Sequence, residues 1–285
     1  MIKEVIRKTF EIRESGRSTD FISPSFGFGC LLDCSYCYMK RHTNDKSLNY
    51  AKNIKDILAS INNHVTWLPE KTPNQTDSIY WTYDISCNED FSLHSKYYDW
   101  ESIFEFFVNH EKAKASLATK IIPVNFLNFN PNKKVRIRFS LMPQDYSTLL
   151  EPNTPLIIDR IKAINAFIDA GYEVHINFSP IIVTDNWLEK YEELFNYVND
   201  YVEYKDEVLA ECIFLTHNEK KHYDNLKKDR KGEELLWNPK YQENKTSQYG
   251  GENIRYKHDI KRFYIKDFIE LHDKIIPWNK IRYIF

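Results

Sequence analysis

The sequence predicts an α/β protein built from parallel βα units, because strand-like and helix-like segments alternate along its middle. Helices are indicated where apolar residues recur at the helical period, and strands by short β-branched and aromatic runs bounded by polar or proline-containing turns. The predicted strands are residues 79–86, 135–142, 172–182 and 207–216, and the predicted helices are residues 99–120, 156–171 and 185–202. This alternation favours a parallel sheet, with too few units to close an eight-stranded barrel.

Residue type and apolar spacing predict each element along the chain. The strands IYWTYDIS, VRIRFSLM, YEVHINFSPII and EVLAECIFLT are all rich in β-branched and aromatic residues. The long first helix is predicted from the apolar spacing in DWESIFEFFVNHEKAKASLATK. Gly171 is expected to end the second helix as its C-cap, and Asp185 is expected to begin the third as its N-cap.

Length and charge set broader bounds. With 285 residues, 42% of them hydrophobic, the chain can bury a substantial core as one large domain or as one domain plus an appendage. The net charge of −2 does not indicate a nucleic-acid-binding protein. Residues 217–285, however, hold 16 lysines and arginines against 11 acidic residues, interleaved with aromatic residues. This basic region is predicted to contact a phosphate backbone, and the alternative is a solvated charged face.

Three of the five cysteines lie close together, with the spacing Cys30-x3-Cys34-x2-Cys37. A disulfide framework is disfavoured because the cysteine count is odd and residues 1–23 contain no apolar signal core. A structural zinc ion with His42 as fourth ligand stays open, although such sites usually take their ligands from two separate knuckles. In a four-iron cluster, three thiolates leave one iron free for a ligand that is not protein.

The same residues resemble the signature of the radical S-adenosylmethionine enzymes, including the aromatic Tyr36 before the last cysteine. The resemblance implies a partial (βα) barrel and a [4Fe–4S] cluster held by Cys30, Cys34 and Cys37. It also implies that S-adenosylmethionine chelates the open iron and is cleaved to a 5′-deoxyadenosyl radical, which takes hydrogen from the substrate. Thiolate ligation fits a reducing compartment, and no apolar run is long enough for a transmembrane helix, so a cytoplasmic location is expected.

A fourth cysteine narrows the resemblance. Cys87 lies in ISCNED, at the carboxyl end of a predicted strand, where chemistry gathers in βα barrels. A lone cysteine is more commonly a small core residue, but the polar neighbours make a poor core wall. GCLLDCSYCYM followed by SCNED resembles the spore photoproduct lyase family, and later segments resemble that family in the same order. These segments are TKIIPV, RIRFSLM, EPNTPLIIDRIKAINAFIDAGYEV, FSPIIVTDNWLEKYEEL and GGENIRYK, so the likeness covers residues 24–285.

The resemblance to this family implies a role for each matching residue. Lys120 and Ser140 would contact S-adenosylmethionine, Lys120 through its carboxylate, and Tyr36 would lie near the adenine. Cys87 would donate hydrogen to the product radical, and Tyr38 would lie on the path that returns that hydrogen. Arg255 and Tyr256, with the neighbouring Lys257, would hold the nucleic-acid backbone or splay the lesion out of the stack.

Two residues depart from the family pattern. Met142 replaces an asparagine, and Glu89 lies where the family tends to have a small hydroxyl residue that helps bind the cofactor. The GGE at residues 250–252 comes too late to be the methionine-binding motif of other radical enzymes. We interpret it as a hairpin turn before Arg255.

The sequence therefore predicts a radical enzyme that repairs thymine-dimer lesions of the 5-thyminyl-5,6-dihydrothymine type, or acts on a related DNA base. Its expected partners are damaged DNA and an electron donor such as flavodoxin or ferredoxin. The alternatives are a radical enzyme with another nucleic-acid or peptide substrate and a non-catalytic, zinc-stabilised nucleic-acid-binding module. The expected regions are a lead segment at 1–23, the barrel at 24–216 and the basic region with its hairpin at 217–285.

Overall fold

The computed structural model describes residues 1–37, 39, 46–246 and 252–285. Tyr38, His42 and the two glycines of the GGE segment lie outside the described residues.

A curled eight-stranded sheet forms the framework within the described residues, with strand order β14-β10-β9-β8-β7-β6-β3-β2. Every neighbouring pair from β3 to β14 is parallel, and β2 pairs with β3 in the antiparallel sense. The strands are β2 (Arg13–Glu14), β3 (Phe21–Ile22), β6 (Trp81–Asp84), β7 (Ala113–Thr119), β8 (Val135–Leu141), β9 (Glu173–Ile181), β10 (Leu209–Phe214) and β14 (Ile281–Ile284). This confirms the predicted partial parallel barrel.

Two smaller sheets flank the barrel. One has the strand order β1-β5-β4 and carries the first cysteine at its edge, and the other has the order β11-β13-β12. Their strands are β1 (Ile2–Val5), β4 (Gly27–Cys30), β5 (Ser47–Ala51), β11 (Thr216–Asn218), β12 (Gln242–Thr246) and β13 (Glu252–Tyr256). The antiparallel pairing of β12 with β13 confirms the predicted hairpin.

The helices pack mostly on the outside of the curled sheet, where apolar side chains form one continuous core. Their bounds are α1 (Ile54–Thr66), α2 (Phe91–His94), α3 (Trp100–Asn109), α4 (Gln144–Leu150), α5 (Ile157–Asp169), α6 (Trp187–Tyr201), α7 (Glu219–Lys227), α8 (Glu233–Leu236) and α9 (His258–Ile275). No helix in the described part of the chain is long and apolar enough to cross a membrane.

The curl of the sheet brings its two ends together. Arg282 of β14 donates from Nη2 to the carbonyl of Ser18, in the loop before β3, at 2.8 Å. The hydroxyl of Ser18 donates to Oε2 of Glu211 on β10 at 2.6 Å. Polar contacts therefore bridge the opening between the edge strands.

The predicted helix at 99–120 is wrong in its second half. Helix α3 stops at Asn109, where His110 leaves the helical conformation and its Nδ1 accepts the backbone N–H groups of Lys112 and Ala113 at 3.0 and 3.1 Å. Residues 113–119 then form β7, between β6 and β8. The alanine-rich segment has helix propensity, but pairing on both sides outweighs this weak local preference.

Predictions at the helix ends had mixed outcomes. Gly171 follows the end of α5 with φ of +92° and donates its N–H to the carbonyl of Ile168, as a C-terminal glycine should. The prediction for Asp185 is wrong, because Asn186 precedes α6 and Asp185 instead accepts from Lys240 Nζ at 3.0 Å.

The terminal regions are joined to the barrel. At the start of the chain, β3 adds to the main sheet beside β6. After residue 217, β14 pairs with β10, and α9 packs against α6. The basic C-terminal region thus shares the barrel's sheet and core.

Candidate functional site

The three signature cysteines lie together in one cluster of apolar side chains, here called the cysteine pocket. Cys30 ends β4, and Cys34 and Cys37 follow in the next loop; Cys30 and Cys34 are buried and Cys37 is half-buried. Burial, with a smaller contribution from Asp90, raises the pKa of the Cys30 thiol to about 12, and burial also raises the pKa of Cys34. Thiols in such a place are protonated unless a cation displaces the proton, as a metal centre does.

A histidine that the sequence analysis did not single out supports the first half of the cysteine loop. The backbone N–H of Leu31 donates to Nε2 of His94 at 3.3 Å, and Nδ1 of His94 lies 3.0 Å from Oε2 of Glu89. The hydroxyl of Tyr98 donates to the same carboxylate oxygen at 2.5 Å. Glu89 therefore fixes the loop through His94.

Glu89 also explains why residue 27 is glycine. A Cβ at Gly27 would lie 2.3 Å from Oε2 of Glu89, so the carboxylate occupies the space of a side chain. The substitution of Glu89 for a small hydroxyl residue is thus accommodated by a local contact.

Residues from the C-terminal region hold the other half of the cysteine loop. Asn225 of α7 donates from Nδ2 to the carbonyl of Ser35 at 2.8 Å. Arg230 donates to the carbonyl of Asp33 at 3.0 Å and to its carboxylate at 2.7 Å. These contacts span nearly 200 residues of sequence, and local patterns did not indicate them.

Lys120 follows β7 and points its ammonium group toward the cysteine pocket. Its backbone N–H donates to Oδ2 of Asp90 at 3.1 Å, and its Nζ lies 5.7 Å from the centre of the Tyr36 ring. Burial alone would lower the pKa of Lys120, but Glu151 and Cys34 raise it, so the group is cationic. Within the described residues, no hydrogen bond or ion pair engages this ammonium group.

A buried network lies beside Lys120 and includes Tyr36 and Ser140. The hydroxyl of Tyr36 donates to the Glu151 carboxylate, whose Oε2 lies 2.9 Å from Nη1 of Arg160. The same Nη1 donates to the carbonyl of Ser140 at 2.9 Å. Glu151 and Arg160 both fall in the quoted EPNTPLIIDR segment, but the sequence analysis gave them no role. Glu151 directly follows α4 and lies before α5.

Cys87 lies half-buried in the loop after β6. Its neighbour Asn88 accepts the backbone N–H of Gly29 through its carbonyl at 3.0 Å, and Asn88 also donates from its amide to the hydroxyl of Ser25. Gly29 precedes Cys30, so the Cys87 loop is paired directly with the strand that carries the first signature cysteine.

The predicted nucleic-acid residues lie on the hairpin. Arg255 is about one-third exposed and its Nε lies 3.0 Å from Oε1 of Glu243, and Lys257 donates to the carbonyl of Lys240 at 3.0 Å. Tyr256 is instead buried, with its hydroxyl accepting the N–H of Val183 at 2.8 Å. Its expected contact with nucleic acid is therefore corrected: Tyr256 is a core residue.

A basic cluster near the hairpin was missed by the sequence analysis. Arg17, Lys245 and Lys261 all face the ring of Phe285, at 4.5, 5.7 and 4.4 Å from its centre. Burial, with smaller contributions from Arg255, Lys245 and Arg17, lowers the pKa of Lys261. We name Arg17, Lys245, Arg255 and Lys261 the basic cluster.

Comparison with known proteins places these features in a family. A family model described as "Spore photoproduct lyase" matches residues 2–285. The chain is 27% identical over 193 residues to the spore photoproduct lyase of Bacillus subtilis (strain 168), covering 67% of this chain and 54% of the relative. The corresponding enzyme of Geobacillus sp. (strain Y412MC61) is 25% identical over 193 residues, with the same coverage. The chain therefore spans about half the length of the curated relatives it matches.

Solved structures share the fold over the whole chain. A spore photoproduct lyase complexed with dinucleoside spore photoproduct matches with a TM-score of 0.86 at 19% identity, covering 100% of this chain and 82% of that one. A double mutant of spore photoproduct lyase with bound AdoMet and the same dinucleoside matches with a TM-score of 0.85 at 18% identity, with the same coverage.

Proposed function

Because the chain belongs to the spore photoproduct lyase family, we propose that it is a radical S-adenosylmethionine enzyme that repairs thymine-dimer lesions of the 5-thyminyl-5,6-dihydrothymine type in DNA. The proposed cofactors are a [4Fe–4S] cluster and S-adenosylmethionine. The observation that carries this proposal is the hydrogen bond between Gly29 and Asn88, because it brings the loop of Cys87 beside the strand of Cys30.

The residues of the pocket fit the two proposed groups. Three thiols converge in an apolar pocket where burial opposes a bare thiolate, so they suit an iron cluster that compensates the negative charge. The Lys120 ammonium beside them lacks a protein partner within the described residues, which suits a ligand carboxylate. Inside the barrel, the buried Oδ1 of Asn177, on the strand next to Ser140, accepts no hydrogen bond from any residue that the structure describes.

Bound together, the cluster and S-adenosylmethionine would supply the abstraction of a hydrogen atom from the substrate. The protein residues have separate tasks. Cys30, Cys34 and Cys37 would ligate iron, and Lys120 would bind the carboxylate through a charge-assisted hydrogen bond. Ser140 and Tyr36 would line the cofactor pocket, held by the network of Glu151 and Arg160.

Cys87 would then donate a hydrogen atom to the product radical, because an S–H bond is weak and this thiol is half-buried at the carboxyl edge of the strands. Tyr38 would return the hydrogen, in keeping with the family resemblance. A flavodoxin or ferredoxin would supply the electron.

Arg255 and Lys257 would bind DNA phosphates together with the rest of the basic cluster. The exposed ion pair of Arg255 with Glu243 contributes little, so a phosphate can replace the carboxylate. Several cations around one aromatic ring are also suited to a backbone with a splayed base beside it.

The experiment that tests this proposal compares wild type, Cys87→Ala and Cys212→Ala on an oligonucleotide that contains the dimer. Cys212 is the matched control because it is buried in β10 and forms part of the core. Wild type and Cys212→Ala should restore thymines, whereas Cys87→Ala should bind the cluster, cleave S-adenosylmethionine and give adducts or a wrong product. Mass spectrometry of the products provides the measurement.

Two results would contradict the proposal in different ways. If Cys87→Ala restored thymines at the wild-type yield, Cys87 would have no part in the reaction. If the wild-type protein cleaved S-adenosylmethionine but left the dimer unchanged, the substrate would be another nucleic acid or a peptide.

A further inference from the structure

Two histidine side chains approach the same carboxylate oxygen of a glutamate in the C-terminal region. His217 lies on β11, His222 lies on α7, and Glu233 is the first residue of α8. Nε2 of His217 and Nδ1 of His222 lie 2.9 and 2.6 Å from the same oxygen, Oε1 of Glu233. Three separate elements thus bring three potential ligand atoms within 4.8 Å of one another.

The charges at this position call for a cation. Glu233 is 4% exposed, His217 is completely buried, and the side chain of His222 is 12% exposed. In the part of the chain that the structure describes, the only ion-pair partners of Glu233 are these two histidines, with no lysine or arginine. A carboxylate shielded from water, whose described partners are two imidazoles and the amide of Asn225, is costly to bury unless a positive charge compensates it.

Neighbouring side chains orient the potential ligands, and one buried polar atom among them has no described hydrogen-bond partner. Asn225 donates from Nδ2 to Oε2 of Glu233 at 2.5 Å, which orients the carboxylate in the way that hydrogen bonds around a metal site do. The ring of His222 stacks on Trp237 with 4.1 Å between the ring centres and 13° between the planes. Asn225 is completely buried, yet its Oδ1 has no hydrogen-bond partner in the described structure.

We propose that His217, His222 and Glu233 bind a divalent transition-metal ion and that this ion is Zn²⁺. Two imidazole nitrogens and a carboxylate oxygen form a ligand set that zinc uses in proteins, with the fourth position left to water. An ion between the three atoms would replace the hydrogen bonds that now converge on Oε1, through a small outward shift of the rings. The site is separate from the three signature cysteines, and its existence does not depend on the proposed lyase activity.

The site is connected to the cysteine loop through one residue. Nδ2 of Asn225, which orients Glu233, also donates to the carbonyl of Ser35, between Cys34 and Tyr36. A bound ion would tie β11, α7 and α8 together and so hold Asn225 against the loop. This consequence, unlike the metal site itself, rests on the proposed function of the cysteines.

The test uses the full chain without a histidine tag, with Cys30, Cys34 and Cys37 all changed to Ala so that these thiols cannot take up zinc. Zn²⁺ is titrated calorimetrically, and bound zinc is measured by mass spectrometry after dialysis. We expect one equivalent of zinc per chain. Glu233→Gln, which keeps the shape but removes the charged ligand, should weaken binding at least about 10- to 100-fold.

Further variants separate ligand loss from misfolding. His222→Ala should also lose zinc, and because His222 is partly exposed its removal leaves most of the core intact. All variants are made in the parent chain, in which the three signature cysteines are changed to Ala. His258 is an exposed histidine at the start of α9, and His258→Ala should bind zinc as tightly as this parent. Co²⁺ in place of Zn²⁺ should give visible absorption bands that vanish in Glu233→Gln, while circular dichroism shows that each variant is folded.

Retention of zinc in a folded Glu233→Gln chain, or absence of zinc from the folded parent, would overturn the proposal and leave the triad as a hydrogen-bonded cluster without an ion. Because the parent lacks the cluster cysteines, this outcome is independent of whether the wild-type chain repairs DNA. Failure of the lyase assay with normal zinc binding would instead contradict only the proposed function.

Discussion

Lys114 lies in β7 and Lys120 directly follows this strand, six residues later, and their surroundings differ. Lys114 lies 2.7 Å from Oδ2 of Asp77 and 2.6 Å from Oε2 of Glu173. Lys120, one residue beyond the end of β7, has no such partner in the described structure and faces the cysteine pocket. Both are lysines of one short segment, so residue type and local sequence alone do not distinguish them.

The same contrast extends across the barrel interior. Near the amino ends of the strands, Arg136 pairs with Asp77 and Glu173. Farther along, Arg138 pairs with Asp84 at 2.7 Å and with Glu211 at 3.3 Å. Opposite charges pair in this part of the barrel, which we call the ion-paired interior. The carboxyl ends of the strands instead present the ammonium group of Lys120 and the cysteine thiols, which a bound cofactor would pair with. Ligand sites are expected at this edge of a parallel barrel.

The largest expected effect is at the carboxyl edge. Cys34→Ala should abolish the iron–sulfur cluster, because no other thiolate in the described pocket can supply the missing ligand. Iron analysis and the visible spectrum of anaerobically purified protein provide the measurement, with Cys212→Ala as the control. A full cluster in Cys34→Ala would remove the contrast between the two ends of the barrel.

A matched pair of variants tests the contrast directly. Lys114→Met should lower the free energy of unfolding by about 1.5–3 kcal/mol, because it removes one of the two cations that pair with the buried carboxylates of Asp77 and Glu173. Lys120→Met should change this free energy by no more than about 1 kcal/mol. It should instead weaken S-adenosylmethionine binding about 10- to 100-fold, through loss of a charged hydrogen bond. Urea unfolding and calorimetric titration measure the two effects, and equal destabilisation by both variants would contradict the comparison.

Acid should destabilise the ion-paired interior over a predictable range of pH. Burial alone would raise the pKa of Glu211, but Arg138 and Arg282 lower it to about 2 from an ordinary value of 4.5. The unfolded chain therefore takes up this proton first as pH falls. Glu211 should contribute roughly 3 kcal/mol to the free energy of unfolding above its ordinary pKa, and this is lost progressively toward pH 2. His175, whose pKa burial lowers to about 4, should act in the same direction at higher pH.

The measurement is urea unfolding as a function of pH for wild type and Glu211→Gln. The difference between the two proteins should shrink as the pH falls below 4.5. If the difference in free energy of unfolding were independent of pH, Glu211 would not be an ionised member of the ion-paired interior.

The smallest effect concerns the exposed cations, which extend the comparison to the surface. Replacing Arg255 and Lys257 by Ala should reduce the slope of log affinity against log salt for DNA by up to about two units if both contact phosphates. The control replaces Lys266 and Lys274, two exposed lysines of α9, with the same loss of charge. If both double variants had equal salt slopes, the basic region would be a solvated charged face that does not bind DNA.

Local sequence predicted the candidate residues of the site and determined much of the framework. The spacing of Cys30, Cys34 and Cys37 predicts a metal site, because close sequence spacing keeps the thiols within reach of one another, and the family resemblance implies that these three thiolates hold an iron–sulfur cluster. The four predicted strands and two of the three predicted helices are present, since their apolar patterns agree with the faces they bury. The family resemblance is confirmed over residues 2–285.

Tertiary structure decided what depends on distant partners. The alanine-rich half of 99–120 is a strand because β6 and β8 pair with it, and Tyr256 is buried because the core surrounds its ring. His94 supports the cysteine loop, and Lys114 and Lys120 differ, only through residues far away in sequence. A local pattern records propensity and periodicity, whereas the pairing of a buried charge or polar group is set by whatever the fold brings beside it.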